Sequence, residues 1–168
     1  MNMNDAHLHM VFNHFPIIGS IFGFGILLVG IILKNKSVQH TAFVLLIIAA
    51  ILGLATMRTG EGAEEIVEEL GATHDIIHEH EEIAEKFAIL LYLTGAVALL
   101  SLITSLKNHA KAKIFAFVTL FLALASSILS KPVGTSGGEI RHTEIREKGA
   151  INNASAQENT MEDSGDDH

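Results

Sequence analysis

The feature that most limits what this chain can become is a run of 19 residues without a charge, Phe15–Leu33 (FPIIGSIFGFGILLVGIIL). A helix of that length rises about 28 Å, close to the hydrocarbon thickness of a bilayer. Three more runs follow at Thr41–Met57, Phe87–Leu106 and Ile114–Ser130, and none contains Asp, Glu, Lys or Arg. With 49% apolar and only 18% charged residues, the chain is too poor in polar surface for a water-soluble domain of 168 residues. The expected fold is all-α, a bundle of four transmembrane helices in a lipid bilayer. Pro16 stands where the first turn of span one tolerates it. Lys131-Pro132 is expected to end span four. The N-terminal segment has no Lys or Arg, unlike a cleavable signal, so Phe15–Leu33 is read as a retained span. Residues 1–149 make the membrane domain, and residues 150–168 read as a disordered acidic tail.

Several function classes fall away at once. Without cysteine there is no thiolate metal site, no cysteine-bound iron–sulfur cluster and no covalent haem attachment. A net charge of -8 argues against nucleic acid as a partner. The spans hold no ionisable relay of the kind transporters use. No nucleophile–base pair or phosphate-binding glycine loop is evident, so the chain reads as an electron-transfer protein or subunit rather than an enzyme.

The basic residues orient the bundle. Lys34 and Lys36 lie between spans one and two, and Lys107, Lys111 and Lys113 between spans three and four, in loops free of acidic residues. Short lysine loops face the cytoplasm. Both termini are then expected on the periplasmic side of a bacterial inner membrane. Span three extends into that compartment. The stretch from Thr73 to Leu106 has no proline, and as one helix it would be about 50 Å long, leaving two to three turns outside the lipid. Between it and span two, Gly60 and Gly62 read as a turn, and Ile66, Val67 and Leu70 as the apolar stripe of a short surface helix.

This topology sorts the histidines. His40 and His109 fall in the lysine loops, and His168 in the tail. The other seven, among them His9, His14, His74, His78, His80 and His142, lie on the outer side in three separate segments. Their gathering at one face suggests that they hold a metal together. His74 and His78 are four apart and can grip one ion, and Glu81 and Glu85 continue their stripe. His80 falls nearly opposite, in line with Ile76, Ile83 and Phe87, and should turn into the bundle. The competing reading is a solvated, charge-rich helix end. His9 and His14 are five apart and could share an ion only if the segment before Pro16 is extended; the alternative is interfacial anchoring. Gly137-Gly138 should turn the chain back over the bundle, bringing Arg141, His142 and Arg146 beside Arg58. These arginines would suit the propionates of a haem, or simply lipid phosphates. Gly19 and Gly23 read as a close-packing pair, though a porphyrin could lie on the same surface.

At His9-Met10-Val11-Phe12-Asn13-His14-Phe15-Pro16 the chain resembles a bacterial family of four-helix integral membrane proteins of unknown function. Members of that family open with His-Pro-x-x-x-His-Phe-Pro before the first span. Met10 stands here in place of the first proline. Thr59-Gly60, a histidine near the start of span three and Gly137-Gly138 extend the resemblance over Leu8–Arg146. The resemblance implies a haem-binding or redox-associated protein, with His9, His14 and one of His74 or His78 carried over as ligands. The first expectation is therefore a membrane protein with one or two haem b groups, passing electrons between quinol and a periplasmic cytochrome or other redox partner. A non-haem Zn, Cu or Fe site is the second. The third is a cofactor-free accessory subunit of a larger complex, or a homo-oligomer.

Overall fold

The computed structural model describes residues 4–142 and 145. Six helices follow one another: α1 (Asp5–Phe12), α2 (His14–Ile32), α3 (Lys36–Glu61), α4 (Glu64–Glu69), α5 (His74–Leu106) and α6 (Ala112–Arg141). Four helical stretches are long and apolar enough to cross a membrane: Asp5–Ile32, Lys36–Glu61, His74–Leu106 and Ala112–Ile140. The expected all-α, four-span architecture is the observed one, and the tail from residue 150 lies outside the described residues. α5 is a single helix of 33 residues, so span three does continue past the lipid as its uninterrupted sequence requires.

The four long helices run alternately up and down. Helix α2 packs on α3, α3 on α5, α5 on α6 and α6 back on α2, which closes the bundle. Apolar surface does not drive helices together in lipid, so close backbone approach and interhelical hydrogen bonds must do so. Small residues supply the first. A Cβ added to Gly19 would lie 2.6 Å from the Ala49 Cβ, and one added to Gly23 would run into Leu46. The glycine face of span one is therefore filled by α3 and not free for a porphyrin. Hydroxyls supply the second. On α5, Thr94 meets Ser126 of α6 at 3.0 Å and Ser101 meets Thr119 at 2.7 Å, and all four are fully buried. Phe22, Ile32, Ile89, Phe121 and Ile128 stay exposed on the outside, as a lipid-facing surface should.

The bundle consists of two hairpins, α2–α3 and α5–α6. Leu33-Lys34-Asn35 and Leu106-Lys107-Asn108 stand at their two reversals, followed by Ala42-Phe43-Val44 and Ala116-Phe117-Val118. Each reversal uses one left-handed residue, Lys34 (φ 52) in the first and Asn108 (φ 48) in the second. The two reversals touch through a 2.7 Å hydrogen bond from Lys36 Nζ to Asn108 Oδ1. They form the lysine-bearing end of the molecule; α1, α4 and the outer turns of α5 and α6 form the histidine-bearing end.

Four local expectations fail at the histidine-bearing end. The segment before Pro16 is helical, not extended. The Asn4 side chain caps α1 by accepting the His7 N–H at 3.0 Å, and Asn13 keeps helical angles (φ -59, ψ -28) into α2. Gly60 does not turn the chain but lies in the last turn of α3, with Gly62 as its C-cap. Helix α6 does not stop at Lys131-Pro132; it runs on to Arg141 with Pro132 inside it. The missing N–H deprives the Ile128 carbonyl of its partner where the apolar run has just ended, within reach of water. Gly137 and Gly138 are helical too, so they make no turn.

Candidate functional site

The phase of α5 decides which histidine faces inward. Stepping back in sevens from buried Ser101 through Thr94 and Phe87 arrives at His80. All four positions face α6, because seven residues make close to two turns. His80 is half-buried, as its apolar stripe predicts, and its Nδ1 lies 2.9 Å from the Ser136 Oγ of α6. The Ser136 Oγ also lies 3.3 Å from the Val133 carbonyl. With the hydroxyl hydrogen on that carbonyl, the oxygen accepts from His80 Nδ1–H and Nε2 keeps its lone pair; with the hydroxyl donating to Nδ1, the ring hydrogen sits on Nε2.

His9 is arranged in the same way on the other hairpin. It stands on α1, which packs over the end of α3. Its Nδ1 lies 3.0 Å from the Thr56 carbonyl. A carbonyl can only accept, so this ring carries its hydrogen on Nδ1 and leaves Nε2 free. Each ring rests on a glycine. A Cβ on Gly60 would approach His9 Cε1 to 3.2 Å, and one on Gly137 would approach His80 Cε1 to 3.0 Å. This is the physical reason for glycine at two helical positions where it would otherwise weaken the helix.

Both imidazoles lie beyond the uncharged spans, and both are held neutral. Burial pushes His9 below the ordinary histidine value, partly opposed by its bond to the Thr56 carbonyl. Burial lowers His80 as well, and the charge that His9 would carry lowers it further. In the turn between α1 and α2, Asn13 Oδ1 is buried with no hydrogen-bond partner among the described residues.

The other expected ligands lie elsewhere. His74 and His78 are exposed and stack in parallel, with centroids 6.2 Å apart. They do not aim at a common point. His74 turns its Nδ1 to Glu68 at 2.9 Å, with Glu64 at 3.9 Å, while His78 lies 3.7 Å from Glu82. Glu64, Glu68 and His74 offer ligand atoms within 4.8 Å of one another, a carboxylate-rich set outside the bundle. The Glu68 hydrogen bond and charge hold the His74 pKa above its ordinary value. Glu81, on the same helix, is raised mainly by burial and next by Glu64. His14 is exposed at the start of α2, and His142 is exposed as the C-cap of α6. Arg58 is exposed in the last turn of α3 and Arg141 is the last residue of α6. Arg146 lies outside the described residues.

Convergence is thus narrower than the sequence reading expects. Of the six candidate ligands, His9 and His80 are the two that are half-buried at the bundle end, and a charge on His9 would lower the His80 pKa; His74 and His78 form a separate solvated group. Sequence reasoning missed Thr56 and Ser136, the oxygens that set the two rings. Ser136 has a faint signal, since it follows the spaced hydroxyls Thr119, Ser126 and Ser130 along α6. The fold defines a four-span helical membrane protein with two half-buried histidines, His9 and His80, at one end. No family model matches the chain, and no curated protein or solved structure matches it either.

Proposed function

We propose that the histidine-bearing end binds a transition-metal centre through His9 and His80, and that the chain is a membrane electron-transfer protein of the b-type haem class. The observation that carries this reading is the matched placement of the two rings. Each sets its Nδ1 against a protein oxygen, and the tautomer with its hydrogen there leaves the Nε2 lone pair for a metal, the arrangement typical of metal-bound imidazole. Among the described residues, no carboxylate shifts the pKa of either ring. Two neutral imidazoles fall short of the three or four protein ligands that a lone zinc ion takes. His9 and His80 would be the residues to hold a haem, whose iron takes no more than two ligands from the protein. Bound haem b would supply a reversible one-electron couple. The chain's part is to keep both ligands neutral, to fix their planes through Thr56 and Ser136, and to admit the rings at Gly60 and Gly137.

The lysine-bearing loops favour an inner-membrane protein with both termini periplasmic. In that orientation the site could exchange electrons between quinol in the bilayer and a soluble periplasmic partner such as a cytochrome. The N-terminal likeness to the four-helix family of unknown function supports the same reading. The test is an absorption spectrum, oxidised and reduced, with metal analysis on the same sample, from cells supplied with haem. A Soret band is expected that is lost in His9→Ala and in His80→Ala but kept in His78→Ala. A folded, colourless protein would refute the proposal.

The second reading has its own observation, the close set of Glu64, Glu68 and His74. A colourless sample containing zinc, copper or iron, with the metal lost in Glu68→Gln, would favour it. A folded sample with neither pigment nor metal would favour an accessory subunit.

A further inference from the structure

On the flank of the histidine-bearing end, α5 and α6 leave an open groove of ≈ 290 Å³ between them. Glu79 and Ile83 line it from α5, and Lys131, Pro132, Ser136 and Glu139 from α6. These residues sort by depth. Ile83 and Pro132 lie next to the uncharged spans, which begin at Phe87 and end at Ser130. Lys131 is rooted at the same boundary, and a lysine there extends its ammonium outward to the headgroup layer. Glu139 is eight residues farther along α6, about 12 Å, and Glu79 is one turn above Ile83, about 6 Å. The groove therefore has an apolar foot at the hydrocarbon edge, a cation at phosphate depth and two carboxylates farther out. A phosphoethanolamine headgroup carries its apolar tails, phosphate and ammonium in that order.

We propose that this groove binds a zwitterionic aminophospholipid, with its phosphate on Lys131, its ammonium on Glu79 and Glu139, and its acyl chains over Ile83 and Pro132. Two features separate this ligand from the other bilayer lipids. A primary ammonium has three N–H donors for the two carboxylates, whereas a choline headgroup has none. An anionic glycerol headgroup offers no cation to Glu79 or Glu139 and would meet a strongly acidic face. The charges come from both walls, so the headgroup would bridge α5 and α6 on the flank of the His80–Ser136 contact. Ser136 forms the inner wall and holds His80 through its Oγ. A seated headgroup would thus cover the lipid side of that imidazole and keep water from it. The site is built from residues other than the proposed metal ligands and stands without them.

Native mass spectrometry of the full chain tests this, with phosphatidylethanolamine, phosphatidylcholine and phosphatidylglycerol of identical acyl chains supplied in equal amounts. Phosphatidylethanolamine should be retained several-fold more than either competitor. Lys131→Ala and the pair Glu79→Gln with Glu139→Gln should each lower its retention by roughly threefold to tenfold, the loss expected for charge-assisted bonds near water. Lys131→Arg should keep it, and Lys34→Ala, at the opposite end, should leave it unchanged. Equal retention of the three headgroups would overturn the proposal. So would losses at Lys131 no larger than those at Lys34. The readout needs no pigment, so it can fail while the haem reading holds, and the reverse.

Discussion

Replacing Gly137 with alanine separates the seating of His80 from the stability of the bundle. The added Cβ would lie 3.0 Å from His80 Cε1, 3.5 Å from Nδ1 and 3.6 Å from Nε2. Carbon atoms settle at roughly 3.5–4.0 Å, so the ring must retreat by about half an ångström. Its 2.9 Å hydrogen bond to Ser136 would stretch toward the limit of a useful bond and lose most of about 0.5–1.5 kcal/mol. Against this, alanine is favoured over glycine in a helix interior by about 1 kcal/mol. The two nearly cancel. Gly137→Ala should unfold within roughly 0.5 kcal/mol of the parent in a denaturant titration in detergent micelles. Its His80 ring nitrogens should shift in the ¹⁵N spectrum as Nδ1 loses its partner. Gly134→Ala is the control, because its Cβ would meet only Ile17 Cδ1 at 3.8 Å, an ordinary contact. It should gain the full ~1 kcal/mol and leave His80 unmoved. If the two variants behave alike in both measurements, Gly137 does not seat the imidazole and the argument fails.

Two further outcomes follow from the charge layout. His74 titrates above its ordinary value of 6.5 because Glu68 holds it, so the tie between α4 and α5 is complete below that value and is lost as pH rises through the raised one. A proton NMR titration should show this, and Glu68→Gln should bring the midpoint back toward 6.5. His9 and His80 have the opposite sign: both are depressed, so the bundle end loses stability as pH falls below 6.5 toward their lowered values. The absence of cysteine gives a clean background for labelling. A membrane-impermeant maleimide should react in spheroplasts with Ala72→Cys and spare Ala110→Cys; the reverse pattern would invert the proposed orientation.

How much of this was legible depends on whether the signal is local. The four spans were, because an uncharged run of seventeen or more residues has few other uses. The outward extension of α5 was too, since nothing between Thr73 and Leu106 interrupts a helix. The inward turn of His80 followed from its alignment with Ile83 and Phe87. The continuation of α6 was not. Proline and paired glycines usually end a helix, but here the lost bond of Pro132 falls near water, and Gly137 is filled by a ring 57 positions earlier in the chain. That contact leaves no trace in the neighbouring residues. For the same reason His14 and His142 looked equivalent to His9. Only the rotation of each helix about its axis, set by packing, separates an imidazole lodged against a neighbour from one facing solvent.

The two rings differ in how exposed their seats are to mutation. Each half of the bundle brings an imidazole, an oxygen beside its Nδ1 and a glycine against which the ring lies. His9 leans on a backbone carbonyl, which every residue at position 56 would supply. His80 leans on the Ser136 hydroxyl, which a single substitution can remove.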